Sequence, residues 1–418
     1  MKAEIIAVGT ELLTPDFQDT NSLQLAAGLG TIGLGVGFKT IVGDDARDLS
    51  RALRTALARS RLILCMGGLG PTEDDRTRET LAKVLKRRLV FREAIRAGIR
   101  ERFSRRGLAM PASNLKQCSI IAGSEILDNP NGTAPGLWLE TKRNMIALLP
   151  GPPREALPMF ERQVLPRLTG LGRGLSVRRV IRITGLGESS MEMLLKPVYR
   201  AVPPGVTVTT LAASGDLSIH LTYRGMESRE RAEALIDGLD RAISRSLGPW
   251  IYSRNGESLE EVVGALLVKN AKTIACAESC TGGLIGHRLT NVPGSSAYFL
   301  ESAVVYSNGA KTRRLGVPAS FIDAHGAVSG PVAGAMAVGV RMTSKAAIGV
   351  AVTGIAGPGG GTPRKPVGLV YIALADARGV TVRRHLFFGD RAQVKFQSSQ
   401  KALDMVRKRL TPRPGKVL

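Results

Sequence analysis

Residues 62–77 read LILCMGGLGPTEDDRT. The apolar run indicates a buried strand, and the glycines after it indicate a tight loop that opens into a helix. Further apolar strands are expected at 5–8, 39–42 and 144–149, with helical segments between them. This alternation of strands and helices predicts an α/β domain whose parallel sheet is covered on both faces.

The same alternation returns in the last part of the chain, from residue 259 onward, and predicts a second α/β domain. Between the two, residues 176–250 predict a strand, a helix, two strands and a helix, which form a small α+β module. Residues 252–257 are expected to be a short connector, and residues 412–415 to fray. The predicted organisation is two parallel-sheet α/β domains joined by an α+β module, with boundaries at 1–170, 171–253 and 254–418.

The composition is that of an ordinary globular protein, with 44% hydrophobic and 22% charged residues among 418, which excludes a disordered or collagen-like chain. Four cysteines without a CxxC pair indicate a reducing compartment, so a cytoplasmic location is expected. No apolar run reaches the ~18 residues of a membrane span. The net charge of +23 favours anionic partners. Because the arginines are spread over many helices and aromatic residues are only 4%, we expect phosphates and nucleotides rather than nucleic acid.

The strongest chemical signal is the stretch TIACAESCTGGL at residues 273–284. A short apolar strand leads into a tight turn, and a helix begins after two glycines. Ser279, Cys280 and Thr281 are candidate nucleophiles on this turn, where the N–H groups of a helix N-terminus would stabilise a developing oxyanion. In the alternative interpretation, Thr281 caps the helix and its neighbours only pack.

A hydroxyl nucleophile needs a base, and no histidine is well placed by local sequence. Lys311 follows the strand-ending Tyr306 by five residues in VVYSNGAK, and a desolvated lysine can lose its proton. A Ser–Lys pair is therefore chemically possible, although Lys311 on its own would be interpreted as a solvated lysine. The stretch VTGIAGPGGG at 352–361 predicts a glycine-rich loop suited to a phosphate, but without P-loop spacing. Arg391 offers a bidentate guanidinium after the next strands.

Residues 259–410 resemble the CinA C-terminal family, the nicotinamide mononucleotide deamidases of the PncC type. The similarity rests on AESCTGG, VVYSNGAK, GIAGPGGG, KPVG and FFGDR, which span the whole domain. It implies hydrolysis of the carboxamide of nicotinamide mononucleotide (NMN) to nicotinate mononucleotide and ammonia, in pyridine nucleotide salvage and without a cofactor. The resemblance makes Ser279 the nucleophile, Lys311 its base and Tyr306 a support of that pair. It also implies five substrate contacts, and these are Thr353, Arg391, Gly282, Gly283 and Gly357. Of these, Arg391 would contact the substrate phosphate.

The acidic residues after the first glycine loop indicate a different site. The backbone N–H groups of loop 67–70 can cradle a phosphate at a helix N-terminus. The carboxylates next to them would repel phosphate unless a divalent cation such as Mg²⁺ bridges the two. Asp44 and Asp45 end another strand and are expected to face the same crevice. In the alternative interpretation, the acids of the loop only complement the helix dipole, and these are Glu73, Asp74 and Asp75.

Residues 1–170 resemble the MoaB/MogA-like molybdopterin-binding fold, in the version that is fused in full-length CinA proteins. The matching stretches are AEIIAVGTELL, IVGDD, GGLGPTEDD, NPNGTAPG and LLPGPP. The resemblance implies a metal-dependent ADP-ribose pyrophosphatase that acts on ADP-ribose or a related diphosphate. Its acids would be Asp44 and Asp75, its further metal ligands Asp74 and Glu11, and its phosphate contacts Gly67, Gly68 and Gly70. The sequence departs from the family after Leu13, where Asp19 replaces an asparagine and Pro15 is added.

The middle module resembles the KH-like domain of the same full-length proteins. Its sequence Gly185-Leu186-Gly187-Glu188 is not a GXXG loop, and the glutamate would oppose a nucleic-acid backbone. We therefore expect a spacer or dimer element, and a homodimer. Two other functions stay open from the sequence: a competence- or DNA-damage-associated nucleic-acid-binding protein, and a molybdopterin-binding protein.

Overall fold

The computed structural model describes residues 2–171, 175–213 and 215–411. The backbone divides into two compact units. One unit comprises Met1–Val177 with Tyr223–Glu233, and the other comprises Arg178–Thr222 with Ala234–Leu418. The frayed tail that the sequence predicts at 412–415 lies outside the described residues.

The first unit contains a six-stranded sheet with strand order β2-β1-β3-β8-β7-β6. The first four of these strands are parallel, and β7 and β6 are antiparallel at one edge. The strands of this unit, of which β4 and β5 lie outside the six-stranded sheet, are β1 (Lys2–Val8), β2 (Gly35–Val42), β3 (Leu62–Met66), β4 (Leu89–Phe91), β5 (Ser119–Ile121), β6 (Glu125–Leu127), β7 (Gly136–Glu140) and β8 (Met145–Leu149). Its helices are α1 (Asn21–Thr31), α2 (Ala46–Arg59), α3 (Thr77–Val84), α4 (Glu93–Ser104), α5 (Pro153–Met159) and α6 (Leu165–Leu168).

Strand β3, the apolar run that precedes the first glycine loop, is buried on both faces. Leu62, Leu64 and Met66 belong to one hydrophobic core, and Ile63 and Cys65 belong to the other. Alternate residues of a strand point to opposite faces of the sheet, so the continuous apolar run supplies both cores. The prediction of an α/β domain with helices on both faces is confirmed for this part of the chain.

The middle part of the chain forms a four-stranded sheet with order β10-β11-β9-β12. Strand β12 pairs antiparallel with β9. The predicted connector at 252–257 therefore overlaps a short strand, because Ile251–Ser253 add an edge to this sheet. The elements are β9 (Leu175–Thr184), α7 (Glu188–Arg200), β10 (Val206–Ala213), β11 (Asp216–Gly225), α8 (Arg229–Leu247) and β12 (Ile251–Ser253).

The C-terminal part contains a five-stranded sheet with order β14-β13-β15-β16-β17. Strands β14, β13 and β15 are parallel, and β16 and β17 are antiparallel. The strands are β13 (Ile274–Glu278), β14 (Phe299–Val304), β15 (Ile348–Gly354), β16 (Leu369–Asp376) and β17 (Gly379–Leu386). The helices are α9 (Leu259–Lys269), α10 (Leu284–Thr290), α11 (Asn308–Leu315), α12 (Ala319–His325), α13 (Gly330–Ser344) and α14 (Arg391–Leu410).

Three loops of the C-terminal sheet meet at one edge. The parallel strands β13, β14 and β15 end at Glu278, Val304 and Gly354, and Glu278 pairs in register with Val304. The strand predicted at 302–306 lies earlier, because the chain leaves the sheet to form α11, whose N-cap Ser307 accepts a hydrogen bond from the N–H of Ala310. Open α/β sheets bind ligands at the carboxyl ends of their parallel strands, so this edge is where a site is expected.

Candidate functional site

The Ser279 loop joins β13 to α10 at this edge. The Ser279 N–H donates to the carbonyl of Val352 at 3.0 Å, which fixes the residue beside β15. Gly283 has a φ of +95°, a left-handed conformation that glycine adopts without steric strain. The two glycines of the motif therefore turn the chain back into α10 within a few residues, and the Ser279 side chain stays at the edge of the sheet with 8% exposure.

Glu278 is a residue that the sequence analysis missed. Its fully buried carboxylate accepts hydrogen bonds from the N–H groups of Gly283 at 3.0 Å, Ile285 at 3.1 Å and Gly286 at 2.9 Å. The hydroxyl of Ser302 donates a fourth at 2.8 Å. Glu278 thus caps α10 from inside the domain, and it connects β13, β14 and α10. The sequence signal for this role is the position of the glutamate, five residues before Gly283, whose N–H is the first that it accepts from.

This cap corrects two expectations about the turn. The N–H groups of α10 that were predicted to stabilise an oxyanion are occupied by Glu278. Thr281 does not cap the helix: Gly283 is the N-cap, and the buried Thr281 hydroxyl has no hydrogen-bond partner within the described residues. The N–H groups of Cys280 and Thr281 on this turn donate to no oxygen in the part of the chain that the structure describes, so they are available to a bound ligand.

Lys311 lies on α11 and points into the protein with 1% exposure. Its Nζ lies 3.4 Å from Ser279 Oγ, 3.0 Å from the carbonyl oxygen of Val305 and 3.2 Å from that of Tyr306. It forms no ion pair with a carboxylate among the described residues. Burial lowers the pKa of Lys311. The solvated-lysine interpretation is therefore wrong.

A neutral lysine fits these three neighbours. An ammonium group has three N–H donors for these three oxygens, whereas a neutral amine would donate to the carbonyls of Val305 and Tyr306 and direct its lone pair toward the hydroxyl of Ser279. Only the neutral form could act as a general base toward the serine. Burial is the cause that lowers the pKa of Lys311, and Arg391 is not among the groups that shift it.

Cys280 is not activated. The side chain belongs to the hydrophobic core, and burial raises the pKa of its thiol to about 12. The thiolate is the nucleophilic form of cysteine, and it is scarce at neutral pH when the pKa is this high. Of the adjacent Ser279 and Cys280, only the serine has an amine within hydrogen-bond distance among the residues that the structure describes.

Tyr306 contributes its main chain and its side chain to different neighbours. Its carbonyl oxygen accepts a hydrogen bond from Lys311 Nζ, and its phenol is 61% exposed. The phenol oxygen accepts a hydrogen bond from Arg391 Nη2 at 3.1 Å. Arg391 Nη1 donates to the carbonyl of Gly357 at 2.8 Å, so the guanidinium lies between the tyrosine and the glycine-rich loop.

Thr353 and the glycine-rich loop lie at the end of β15. Thr353 is buried, and its hydroxyl donates to the carbonyl of Ala327 at 2.8 Å. That bond joins β15 to the segment before α13, so the hydroxyl is directed into the protein. Gly357 is anchored by Arg391, as described above. The structure therefore brings Ser279, Lys311, Tyr306, Gly282 and Gly283 to one sheet edge, with Arg391 and Gly357 beside Tyr306.

The acidic residues of the first domain line a cavity of about 390 Å³. The seven residues that the resemblance names for this site all contribute to its wall, and these are Glu11, Asp44, Asp74, Asp75, Gly67, Gly68 and Gly70. A side chain at Gly68, where φ is +66°, would lie 2.2 Å from Thr77 Oγ1, so the loop lies close against α3. Glu155, Gln117 and Thr133 also line the cavity and were missed, because they come from distant parts of the chain.

Two of these carboxylates are held by neighbouring main-chain groups. Asp44 Oδ2 accepts from the N–H and the hydroxyl of Thr10, both at 2.8 Å, and Asp75 Oδ2 accepts from the N–H of Thr72 at 2.9 Å. Asp45, which was expected to face the crevice, instead caps α2. Asp19, the departure from the family pattern, accepts from the N–H of Ser22 in the first turn of α1. An aspartate serves there as well as an asparagine.

The cavity fits a metal only in combination with a substrate. No group of three His, Cys, Asp or Glu side chains within the described ranges is arranged to hold a metal ion by itself. Mg²⁺ is commonly bound by one or two carboxylates together with substrate phosphates. Asp44 and Asp75 each keep one carboxylate oxygen outside the hydrogen bonds above, so they are the residues that would hold a metal–diphosphate complex.

Three families match successive parts of the chain. Residues 4–170 match the family described as probable molybdopterin binding domain, residues 178–253 the damage-inducible protein CinA KH domain, and residues 256–410 the CinA C-terminal domain. A CinA-like protein of Koribacter versatilis is 48% identical over 415 residues, which cover 98% of this chain and 100% of that protein. The chain belongs to the CinA-like proteins.

Other CinA-like proteins show the same full-length match. That of Solibacter usitatus is 44% identical over 412 residues, which cover 98% of this chain and 99% of that protein. Among solved structures, the competence/damage inducible protein CihA from Agrobacterium tumefaciens is 38% identical, and the match covers 37% of this chain and 96% of that chain, with a TM-score of 0.35.

None of the helices that the structure describes is both long and apolar enough to span a membrane.

Proposed function

We propose that the C-terminal domain hydrolyses the carboxamide of NMN to nicotinate mononucleotide and ammonia. The observation that carries this proposal is the buried Lys311 Nζ, which lies 3.4 Å from Ser279 Oγ without a carboxylate partner among the described residues. A serine with a neutral amine as its base can attack an amide carbon, and the resemblance of residues 259–410 to the NMN deamidases implies the substrate.

The reaction would proceed in two halves. Lys311 accepts the hydroxyl proton while Ser279 Oγ forms a bond to the carboxamide carbon, and the N–H groups of Cys280 and Thr281 stabilise the oxyanion. Lys311 then donates the proton to the amide nitrogen, so that ammonia leaves and an ester on Ser279 remains. Lys311 then takes a proton from water as the water oxygen bonds to the ester carbon, and it returns that proton to Ser279 Oγ as the bond between Oγ and the carbon breaks. The acid product leaves and loses its own proton to solvent to become the carboxylate. Release of ammonia from NMN by the full-length protein tests the proposal.

We expect this deamidation to continue in the presence of EDTA. The nucleophile and the base are both side chains of this chain, so no step requires an activated metal-bound water. The measurement is ammonia release from NMN by the full-length protein with and without the chelator. Loss of activity in EDTA that is restored by a divalent cation would contradict the Ser–Lys mechanism.

We further propose that the first domain cleaves the diphosphate of ADP-ribose or a related molecule with a divalent metal. Support comes from the glycine loop and the acidic side chains that line one cavity. A phosphate next to so many carboxylates needs a bridging cation, because like charges repel in such a confined site. When bound, the metal would neutralise the developing charge on the phosphate oxygens.

Asp75→Asn should lower metal-dependent ADP-ribose cleavage by about two orders of magnitude and leave NMN hydrolysis unchanged. The amide loses the negative charge that would hold the metal complex, while the fold keeps its shape. Asp48→Asn is the matched control, because Asp48 is an exposed carboxylate on α2 that is not among the residues lining the cavity. Equal losses of both activities in a folded Asp75→Asn protein would show that the two sites do not act separately.

A further inference from the structure

Helix α14 carries a second cation one turn beyond Arg391. Lys395 lies four residues after Arg391, a spacing that places both side chains on the same face of a helix. Its Nζ lies 3.7 Å from the position that a Cβ atom would take at Gly282. Gly282 belongs to the turn that begins at Ser279, and its N–H donates to the Ser279 carbonyl at 3.1 Å. The amine of Lys395 is therefore next to the nucleophile loop.

Neither cation is neutralised by the protein. Lys395 is half-buried, and it makes no hydrogen bond or ion pair within 2–171, 175–213 and 215–411. The guanidinium of Arg391 donates only to uncharged oxygens, the carbonyl of Gly357 and the phenol of Tyr306. Glu278, at the end of β13, is fully buried and has its carboxylate committed to α10 and Ser302, and the carboxylate of Asp390 accepts from the N–H of Gln393 as the N-cap of α14.

Two like charges four residues apart on a helix repel one another and destabilise it slightly. A bound anion removes that repulsion, because each cation then faces a negative partner. A phosphate with two or more negatively charged oxygens can accept from a guanidinium and from an ammonium at the same time. The pair is thus suited to a phosphate monoester, in contrast to the carboxamide that must reach Ser279.

We propose that Lys395 binds the phosphate of the substrate together with Arg391, an inference that rests on the proposed deamidase function. Because Lys395 is next to the turn that bears Ser279, a phosphate held there is fixed relative to the nucleophile. The phosphate contact is made in both ground state and transition state, so it lowers KM more than it raises kcat. Lys395 is accordingly a binding residue that selects the nucleotide over the nucleoside.

The test compares Lys395→Gln and the wild type on two substrates: NMN, and nicotinamide riboside, which is the same molecule without its phosphate. In the full-length protein, we expect Lys395→Gln to lower kcat/KM for NMN by about 10- to 100-fold, mostly through KM, since a charge-assisted hydrogen bond is lost. Hydrolysis of the riboside should stay unchanged. Lys395→Arg should keep most of the activity on NMN, because it keeps the charge.

Lys401→Gln is the matched control, because Lys401 is another lysine on α14 that makes no hydrogen bond within the described residues and lies beyond the site. We expect no change on either substrate. Equal losses on NMN and the riboside in Lys395→Gln, or no loss on NMN, would overturn the phosphate role while the deamidase proposal stands. A wild-type protein that releases no ammonia from NMN would overturn the proposed function itself, and the role of Lys395 with it.

Discussion

Ser279→Ala should lower NMN hydrolysis by about 10⁴-fold or more, whereas Cys280→Ala should keep most of the activity. The serine is the only one of the two that has a base at hydrogen-bond distance, 3.4 Å from Lys311 Nζ. The thiol is protonated at neutral pH, because burial raises its pKa to about 12. Loss of a covalent nucleophile typically removes several orders of magnitude in rate. The measurement is the initial rate of ammonia release by the full-length variants.

The two substitutions form a matched pair, since both remove one heteroatom from neighbouring residues of the same loop. Cys280 packs in the hydrophobic core, so Cys280→Ala is expected to lower the melting temperature somewhat and Ser279→Ala much less. Ser279→Ala should therefore lose more activity than Cys280→Ala, and Cys280→Ala should lose more stability than Ser279→Ala. A Cys280→Ala protein that is folded but as inactive as Ser279→Ala would assign the nucleophile to the thiol.

Lys311→Met should also lower the rate by about 10⁴-fold or more, and the double variant with Ser279→Ala should be no worse than either single variant. The two side chains act as one unit, so removing the second adds little once the first is absent. The control for the loss of one positive charge is Lys272→Met, which changes an exposed lysine before β13. This variant is expected to keep full activity. Multiplied losses in the double variant would show that the two residues contribute independently.

The lowered pKa of Lys311 also predicts how rate and stability depend on pH. Lys311 can act as a base only when it is neutral, so the rate should rise with pH and level off above the pKa that Lys311 has in the folded protein. That pKa lies below the 10.5 of an ordinary lysine. Between those two values the unfolded chain binds more protons than the folded one, so the free energy of unfolding rises with pH across that window. Lys311→Met should lose this dependence and be at least as stable as the wild type at neutral pH. A clearly less stable variant would indicate a charged lysine in the native protein.

Much of the architecture follows from strand-and-loop patterns that the sequence displays locally. The apolar run 62–66 is a two-sided buried strand, and the segment 274–278 is the strand that presents Ser279. The loops after parallel strands meet at one sheet edge for geometric reasons, which agrees with the proximity of Ser279 and Lys311, a pair that the resemblance had implied. The acids of the first domain came together in the same way.

Other features depend on side-chain partners that no local pattern records. The role of Glu278 requires the N–H groups of α10 and the hydroxyl of Ser302 to converge on one carboxylate. The phenol of Tyr306 is turned toward Arg391, which lies 85 residues later in the chain. Strand β12 exists because β9 offers it an edge to pair with, and its three residues are too short for a periodic signal. Each of these is a tertiary contact that overrides local preference.

The cap that Glu278 supplies ties the appearance of activity to the completion of folding. Its carboxylate reaches the start of α10 and the hydroxyl of Ser302 only after β13 and β14 have paired and α10 has docked. Until then the turn that carries Ser279 lacks this anchor, and the serine has no fixed position relative to Lys311. A nascent or partly unfolded chain therefore carries an inert serine, and the proposed hydrolase activity would emerge only with the assembled sheet.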